Sequence, residues 1–172
     1  MSKIKLFDLS RQYKNLRAVL ERKVARVLAS GQYIMGQNVK TFEMNASKYL
    51  SVKNSVTCNS GTDALILALR CLGVGHGDEV ITTPFTYFST TEAILLVGAK
   101  PIFVDIDSTT FNIDCSQIER KITKKTKAIL GVHIFGHPYD AENVKKICKK
   151  YKIKMIEDCA QSFGASIGKK QT

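Results

Sequence analysis

Tryptophan is absent from this chain and proline occurs only 3 times in 172 residues, so no segment reads as a proline-rich linker. With 44% hydrophobic and 24% charged residues, composition also excludes disorder, collagen and coiled coil. Long apolar runs are missing. The longest, residues 64–69 and 93–97, fall far short of the roughly 20 residues that span a bilayer. The start Met1-Ser2-Lys3-Ile4-Lys5 has no apolar signal core, and the expectation is a cytoplasmic protein without a membrane partner. The 5 cysteines (Cys58, Cys71, Cys115, Cys148, Cys159) are odd in number and form neither CxxC nor a Cys/His zinc pattern, which points to reduced thiols and no bound metal. Acidic residues are few: 15 against 26 lysines and arginines, a net charge of +11 concentrated between Arg120 and Lys154. A basic stripe can attract nucleic acid or an anionic ligand. Here Lys145, Lys146, Lys149 and Lys150 alternate with Val144, Ile147, Cys148 and Tyr151, the pattern of an amphipathic helix whose lysines face water. No nucleic-acid motif accompanies the charge, so no nucleic-acid partner is expected.

What the chain does contain is a regular alternation. Tyr13, Leu16, Leu20, Val24, Val27 and Leu28 repeat at helical spacing and Gly31 supplies a stop. A second short helix runs from Val39 through Phe42 and Ala46 to Tyr49. Strand-like runs then alternate with helical ones: strand 55–58 and helix 63–72, strand 79–82 and helix 90–97. Strand 101–104 and helix 117–122 follow, then strand 127–132, helix 141–151 and strand 154–157. Capping-box spacing marks helix starts at Ser60 with Asp63, Ser89 with Glu92, and Ser116 with Glu119. Continuously apolar strands separated by helices imply a mostly parallel sheet covered on both faces, an α/β fold. No linker, repeat or low-complexity tract interrupts it, so residues 1–172 are expected to form part of one domain, too short for two complete enzyme domains.

Ligands in such sheets bind where the strands end, which directs attention to the loops after Cys58, Thr82, Val132 and Glu157. The turn Asn59-Ser60-Gly61-Thr62-Asp63 leads into a helix and offers free N–H groups, hydroxyls and the positive end of a helix dipole. It is either a phosphate seat or only a turn. It is neither a Walker loop nor GxGxxG, and Gly73-Val74-Gly75-His76-Gly77 sits after a helix and before a strand, the wrong order for a nucleotide fingerprint. Pro84-Phe85-Thr86-Tyr87-Phe88-Ser89 places aromatics at a strand end, for stacking on a flat ring or for core packing. Asp158 closes another strand and would serve a protonated pyridine nitrogen or, alternatively, cap a helix. His133 and His137 are four apart, but Gly136 and Pro138 make their segment a loop, which favours a structural or substrate-side role over a metal site. A nucleophilic set of Cys58, His133 and Asp158 is conceivable from position alone; no local pattern supports it.

In order along the chain, Phe7-Asp8-Leu9, Gly31-Gln32-Tyr33-Ile34-Met35-Gly36, Asn59-Ser60-Gly61-Thr62-Asp63-Ala64-Leu65 and Gly77-Asp78-Glu79-Val80-Ile81 form a recognisable series. It continues through Gly98-Ala99-Lys100-Pro101, Val104-Asp105-Ile106-Asp107, Lys125-Thr126-Lys127-Ala128-Ile129 and Glu157-Asp158-Cys159-Ala160-Gln161-Ser162-Phe163-Gly164-Ala165. This series resembles the DegT/StrS family of pyridoxal-phosphate-dependent sugar aminotransferases, with the aspartate aminotransferase (type I) fold. The resemblance implies that Thr62, with the N–H groups of Gly61 and Asp63, holds the phosphate of pyridoxal 5'-phosphate. It further implies that Tyr87 stacks on the ring, Asp158 pairs with the ring nitrogen and Gln161 bonds the ring hydroxyl. It implies a nucleotide-linked keto-sugar as substrate, glutamate as amino donor, a role in surface glycan synthesis, and a homodimer with shared active sites. The Phe-Thr-Tyr and Ala-Gln-Ser-Phe-Gly-Ala segments look most like enzymes that aminate a UDP-linked acetamido-hexuluronic acid at its third carbon.

One departure stands against this agreement. The Schiff-base lysine of the family lies beyond Thr172, as do the rest of the large domain and the small C-terminal domain. Lys169 and Lys170 follow Gly168 in an expected exposed turn and match a non-catalytic Gly-Lys. The expectation is therefore a truncated or fragmentary N-terminal part of the large domain, inactive alone and in need of a second chain or of the missing half. The competing readings are a non-catalytic binder of the cofactor or sugar nucleotide and, more remotely, an anionic-ligand binder.

Overall fold

The computed structural model describes residues 5, 8–168 and 170–172. Phe7 of the first resembling segment and Lys169 therefore lie outside the described residues. The chain divides into two compact units, Met1–Ser55 and Val56–Thr172. The sequence carries no composition signal at that division.

The first unit holds α1 (Ser10–Ser30) and α2 (Gln37–Tyr49). Gly31 ends α1 as expected: at φ 65° it adopts the left-handed conformation that suits glycine, and its N–H bonds the Leu28 carbonyl. The apolar stripe Tyr13, Leu16, Leu20, Val24 and Leu28 is solvent-exposed, and α1 buries none of its residues. In α2, Ala46 is the buried position.

The second unit begins with α3 (Gly61–Cys71), β1 (Glu79–Thr82), α4 (Ser89–Leu96) and β2 (Lys100–Phe103). Then come β3 (Thr126–Val132), α5 (Ala141–Tyr151), β4 (Lys154–Asp158), and a small antiparallel hairpin of β5 (Ser166–Ile167) and β6 (Lys170–Gln171). Lys170 thus lies in a strand after the Gly168 turn. The main sheet is four-stranded and fully parallel in the order β2-β1-β3-β4. Successive residues of a strand point to opposite faces. On one face Val80, Ala128, Leu130, Val132 and Ile156 pack with Leu65 and Leu69 of α3 and Ala93 and Ile94 of α4. On the other, Ile81 and Ile129 pack with Val144, Ile147 and Cys148 of α5 and with Ile113 and Ile118. The sheet is therefore a middle layer between helical layers, the expected α/β arrangement. The lysines of α5 lie on its exposed side.

Four local expectations fail. Residues 55–58 belong to neither sheet, and Val56 stands 82% exposed; an apolar, β-prone run is a strand only where a neighbour completes its ladder. Residues 117–122 do not form an α-helix but fall into short 3₁₀ turns, Cys115–Gln117 and Glu119–Lys121. Asp114, not Ser116, caps the first of them, accepting the Ser116 N–H, and Ile122 is already extended. Ser89 is no cap either. Phe88 before it is helical and its carbonyl accepts the Glu92 N–H, so Ser89 sits inside the turn where a capping conformation is unavailable.

Candidate active site

Parallel strands deliver their carboxyl ends to one edge. Thr82 ends β1, and its buried hydroxyl donates to the Leu130 carbonyl at 2.8 Å, tying β1 to β3 just short of that edge. The chain then turns through Pro84 to Phe88 and leaves Tyr87 76% exposed beyond the strand end. Core packing of this ring is thereby excluded. Phe85 meets Phe111 and Phe135, with ring centroids 5.8 and 6.2 Å apart.

At the end of β4, Asp158 is half-buried and locked to its neighbours: its carbonyl accepts the His133 N–H at 3.1 Å, and Oδ1 accepts the Ala160 N–H at 3.0 Å. Its other oxygen makes no hydrogen bond among the described residues. It does not cap a helix, because residues 160–164 form turns. Gln161, on those turns, accepts the Phe135 N–H at Oε1 over 2.6 Å.

Helix α3 packs on the sheet through Leu65 and Leu69 and passes by a short loop into the start of β1. Its own start is therefore carried toward the edge where the strands end. Ser60 caps it as the capping spacing predicts: Ser60 Oγ accepts the Asp63 N–H at 3.1 Å and donates to Asp63 Oδ2 at 3.0 Å. Asn59 also donates to that carboxylate, at 3.2 Å. The Asp63 N–H, which the resemblance assigns to the phosphate, is here engaged by Ser60 Oγ, whereas the first-turn N–H groups of Gly61 and Thr62 and the Thr62 hydroxyl stay unpaired among the described residues. A Cβ placed on Gly61 would meet nothing within 4 Å, so the turn faces open space. Unpaired N–H groups at a helix start, carrying a partial charge of about +0.5, make an anion seat.

His133 is structural in this geometry. It is fully buried, its ring stacks on Tyr139 at 4.4 Å and 13°, and Nδ1 accepts the Tyr139 N–H at 3.2 Å. Burial opposes charge on the ring, while Cys159 and Glu157, whose Oε1 lies 3.3 Å from Nε2, prevail and raise its pKa. A backbone N–H can only donate, so Nδ1 carries no proton here and that bond resists the upward pull. The conceivable trio with Cys58 does not assemble: the exposed Cys58 thiol points to the Ser60 carbonyl, and both His133 nitrogens face other groups. His137 lies on the same loop, its carbonyl bonded to Asn112. Asn112, unlike that loop, is not singled out by the sequence, because a lone asparagine in a connection carries no signal until the chain folds.

A helix-start anion seat, an exposed aromatic ring and a carboxylate with an unengaged oxygen, arrayed on one edge of a parallel α/β sheet, form the arrangement that the resemblance to pyridoxal-phosphate-dependent transferases implies. The groups present fit that cofactor: the seat suits its phosphate and Asp158 suits its ring nitrogen. Residues 15–172 match the model of the DegT/DnrJ/EryC1/StrS aminotransferase family, and the chain belongs to that family. It is 45% identical over 162 residues to the "pleiotropic regulatory protein" of Geobacillus stearothermophilus, covering 94% of this chain and 44% of that protein. It is 44% identical over 163 residues to the UDP-2-acetamido-2-deoxy-3-oxo-D-glucuronate aminotransferase of Pseudomonas aeruginosa, covering 95% and 45%. Among solved structures, NtdA from Bacillus subtilis with bound cofactor PMP superposes with a TM-score of 0.91 at 36% identity, covering 96% of this chain and 38% of that one. The chain thus spans under half the length of these proteins. Pyridoxal phosphate is the cofactor of this family.

Proposed function

We propose that the protein to which these residues belong transfers an amino group from glutamate to a nucleotide-linked keto-sugar with pyridoxal phosphate, for surface glycan synthesis. The observation that carries this reading is the placement of Asp158, Tyr87 and the α3 start on one sheet edge. Bound there, the cofactor supplies an electron-withdrawing ring that stabilises negative charge on a substrate carbon. Gly61 and Thr62 seat its phosphate through their N–H groups and the Thr62 hydroxyl. Asp63 holds the Ser60 hydroxyl that shapes this turn. Asp158 keeps a proton on the ring nitrogen by opposing it with a carboxylate that has no ion-pair partner among the described residues. Tyr87 covers a ring face, and Gln161 bonds the ring hydroxyl. The similarity to the Pseudomonas aeruginosa enzyme favours a UDP-linked acetamido-hexuluronic acid, aminated at its third carbon.

The edge is open: Tyr87, Phe88 and Phe135 expose 76%, 68% and 71% of their surface. Charge chemistry of this kind gains strength when water is excluded. A second copy of the chain, in a homodimer, is proposed to cover it. Residues 1–172 alone are proposed not to turn over, because the resemblance assigns the Schiff-base lysine to none of them. Titration of pyridoxal phosphate into the full-length protein, followed by absorbance, tests the site: Asp158→Ala is expected to weaken binding at least tenfold and to abolish transamination. Binding unchanged in Asp158→Ala would overturn the assignment, and turnover of a keto-sugar nucleotide by residues 1–172 alone would overturn the inactivity.

A further inference from the structure

The loop between β3 and α5 is held more tightly than a connection requires. Phe135 sits at φ 54°, a left-handed backbone that a bulky side chain rarely adopts, and Gly136 follows at φ 80°. Such strain persists only where surrounding contacts enforce it. Asn112, from the β2–β3 connection, is 2% exposed. Its Oδ1 accepts the Ile134 N–H at 3.2 Å and its Nδ2 donates to the His137 carbonyl at 2.9 Å. A backbone N–H only donates and a carbonyl only accepts, so both ends of this amide are assigned by chemistry. An aspartate there would set a carboxylate oxygen against the His137 carbonyl. The stacked His133 and Tyr139 close the loop at its two ends.

What the held loop presents is the Phe135 N–H, 2.6 Å from Gln161 Oε1. By the same logic the Gln161 atom facing the loop must be oxygen, so its NH₂ is turned away from the loop. Gly136 lies close beneath: a Cβ there would come within 3.1 Å of the Gln161 carbonyl. The amide thus offers donors, not an acceptor, to whatever binds at the edge. A phenolic ring oxygen needs donors.

We propose that Asn112 is a positioning residue that acts through Gln161: by pinning residues 134–137 it keeps the Phe135 N–H on Gln161 Oε1, so that the Gln161 NH₂ is presented to the ring oxygen of the cofactor. This rests on the proposed role of Gln161 and adds the device that orients it. The test uses the full-length holoprotein and reads the pH midpoint of the bound cofactor's absorbance band, with a thermal melt on each variant. Gln161→Ala is expected to move that midpoint. Asn112→Asp is expected to move it in the same direction by at least half as much, and the double variant no further than Gln161→Ala alone, as coupled residues behave. A midpoint unmoved by Asn112→Asp, or effects that add in full, would overturn the positioning role while leaving Gln161 at the ring. A midpoint unmoved by Gln161→Ala would overturn the ring-hydroxyl reading and the positioning role with it. Should Asn112→Asp not fold, amide exchange without cofactor decides: Phe135 is expected to be protected and to exchange at least tenfold faster in Gln161→Ala, and an unprotected Phe135 amide in the unaltered protein would overturn the link.

Discussion

Gly131 shows how a single missing side chain is enforced by the connection that follows its own strand. A Cβ there would fall 2.4 Å from the Tyr139 ring, which is itself only 2% exposed and stacked on His133. Neither ring has room to retreat. Gly131→Ala is expected to destabilise the fold by about 2 kcal/mol through overpacking, measured as a lower midpoint in denaturant. The sequence offered no warning of this, since Gly131 reads as one more residue of an apolar strand. Asp158 and Gln161 were legible as residues, because their segment is distinctive, whereas the Phe135 contact that orients Gln161 depends on a loop from another strand.

At the scale of elements, capping decides much of the local geometry. Ser60 accepts the Asp63 N–H at the start of α3, and losing such a cap costs about 1 kcal/mol. Ser60→Ala is therefore expected to lower stability by that order and to weaken pyridoxal phosphate binding in the same variant, because the capped turn is the proposed phosphate seat. A fall in stability with no change in binding would separate the helix start from the cofactor. The connections around β2 and β3 carry acidic groups tuned the other way. Hydrogen bonds from Thr110 lower the pKa of Asp107, those from Ser116 and Gln117 lower that of Asp114, and the Lys150 and Tyr151 side chains lower that of Glu119. Each is depressed from its ordinary 3.8 or 4.5, so each stabilises the fold above those values and ceases to do so as pH falls through the lower folded-state pKa. Thermal melts are expected to decline below about pH 4, and Asp107→Asn to show a smaller decline than the unaltered protein. The strand and helix order was readable because apolar runs and helical stripes alternate cleanly. The 3₁₀ turns at 115–121 were not, because Asp114 accepts both the N–H and the hydroxyl of Ser116, which engages the expected cap by hydrogen bonds invisible in spacing.

For the molecule as a whole, the exposed apolar surface is the main physical fact. In the first unit the stripe from Tyr13 to Leu28 is uncovered, and in the second the aromatic wall around Tyr87 is equally open. Apolar patches of this kind in a stable protein mark surfaces that another chain or segment covers. Sedimentation of the full-length protein is expected to give a dimer at micromolar concentration, and Leu16→Lys with Leu20→Lys to increase the monomer fraction. A monomer with both surfaces water-exposed would defeat the proposed homodimer.

The sequence by itself determined the family and the α/β alternation, because those are carried by contiguous segments whose chemistry survives being read in one dimension. Only the tertiary structure decided that residues 55–58 lack a ladder, that Asn112 belongs to the same network as Gln161, and that Gly131 must stay small. Each of these depends on what a distant segment brings alongside, and hydrogen-bond partners and packing neighbours are properties of proximity in space.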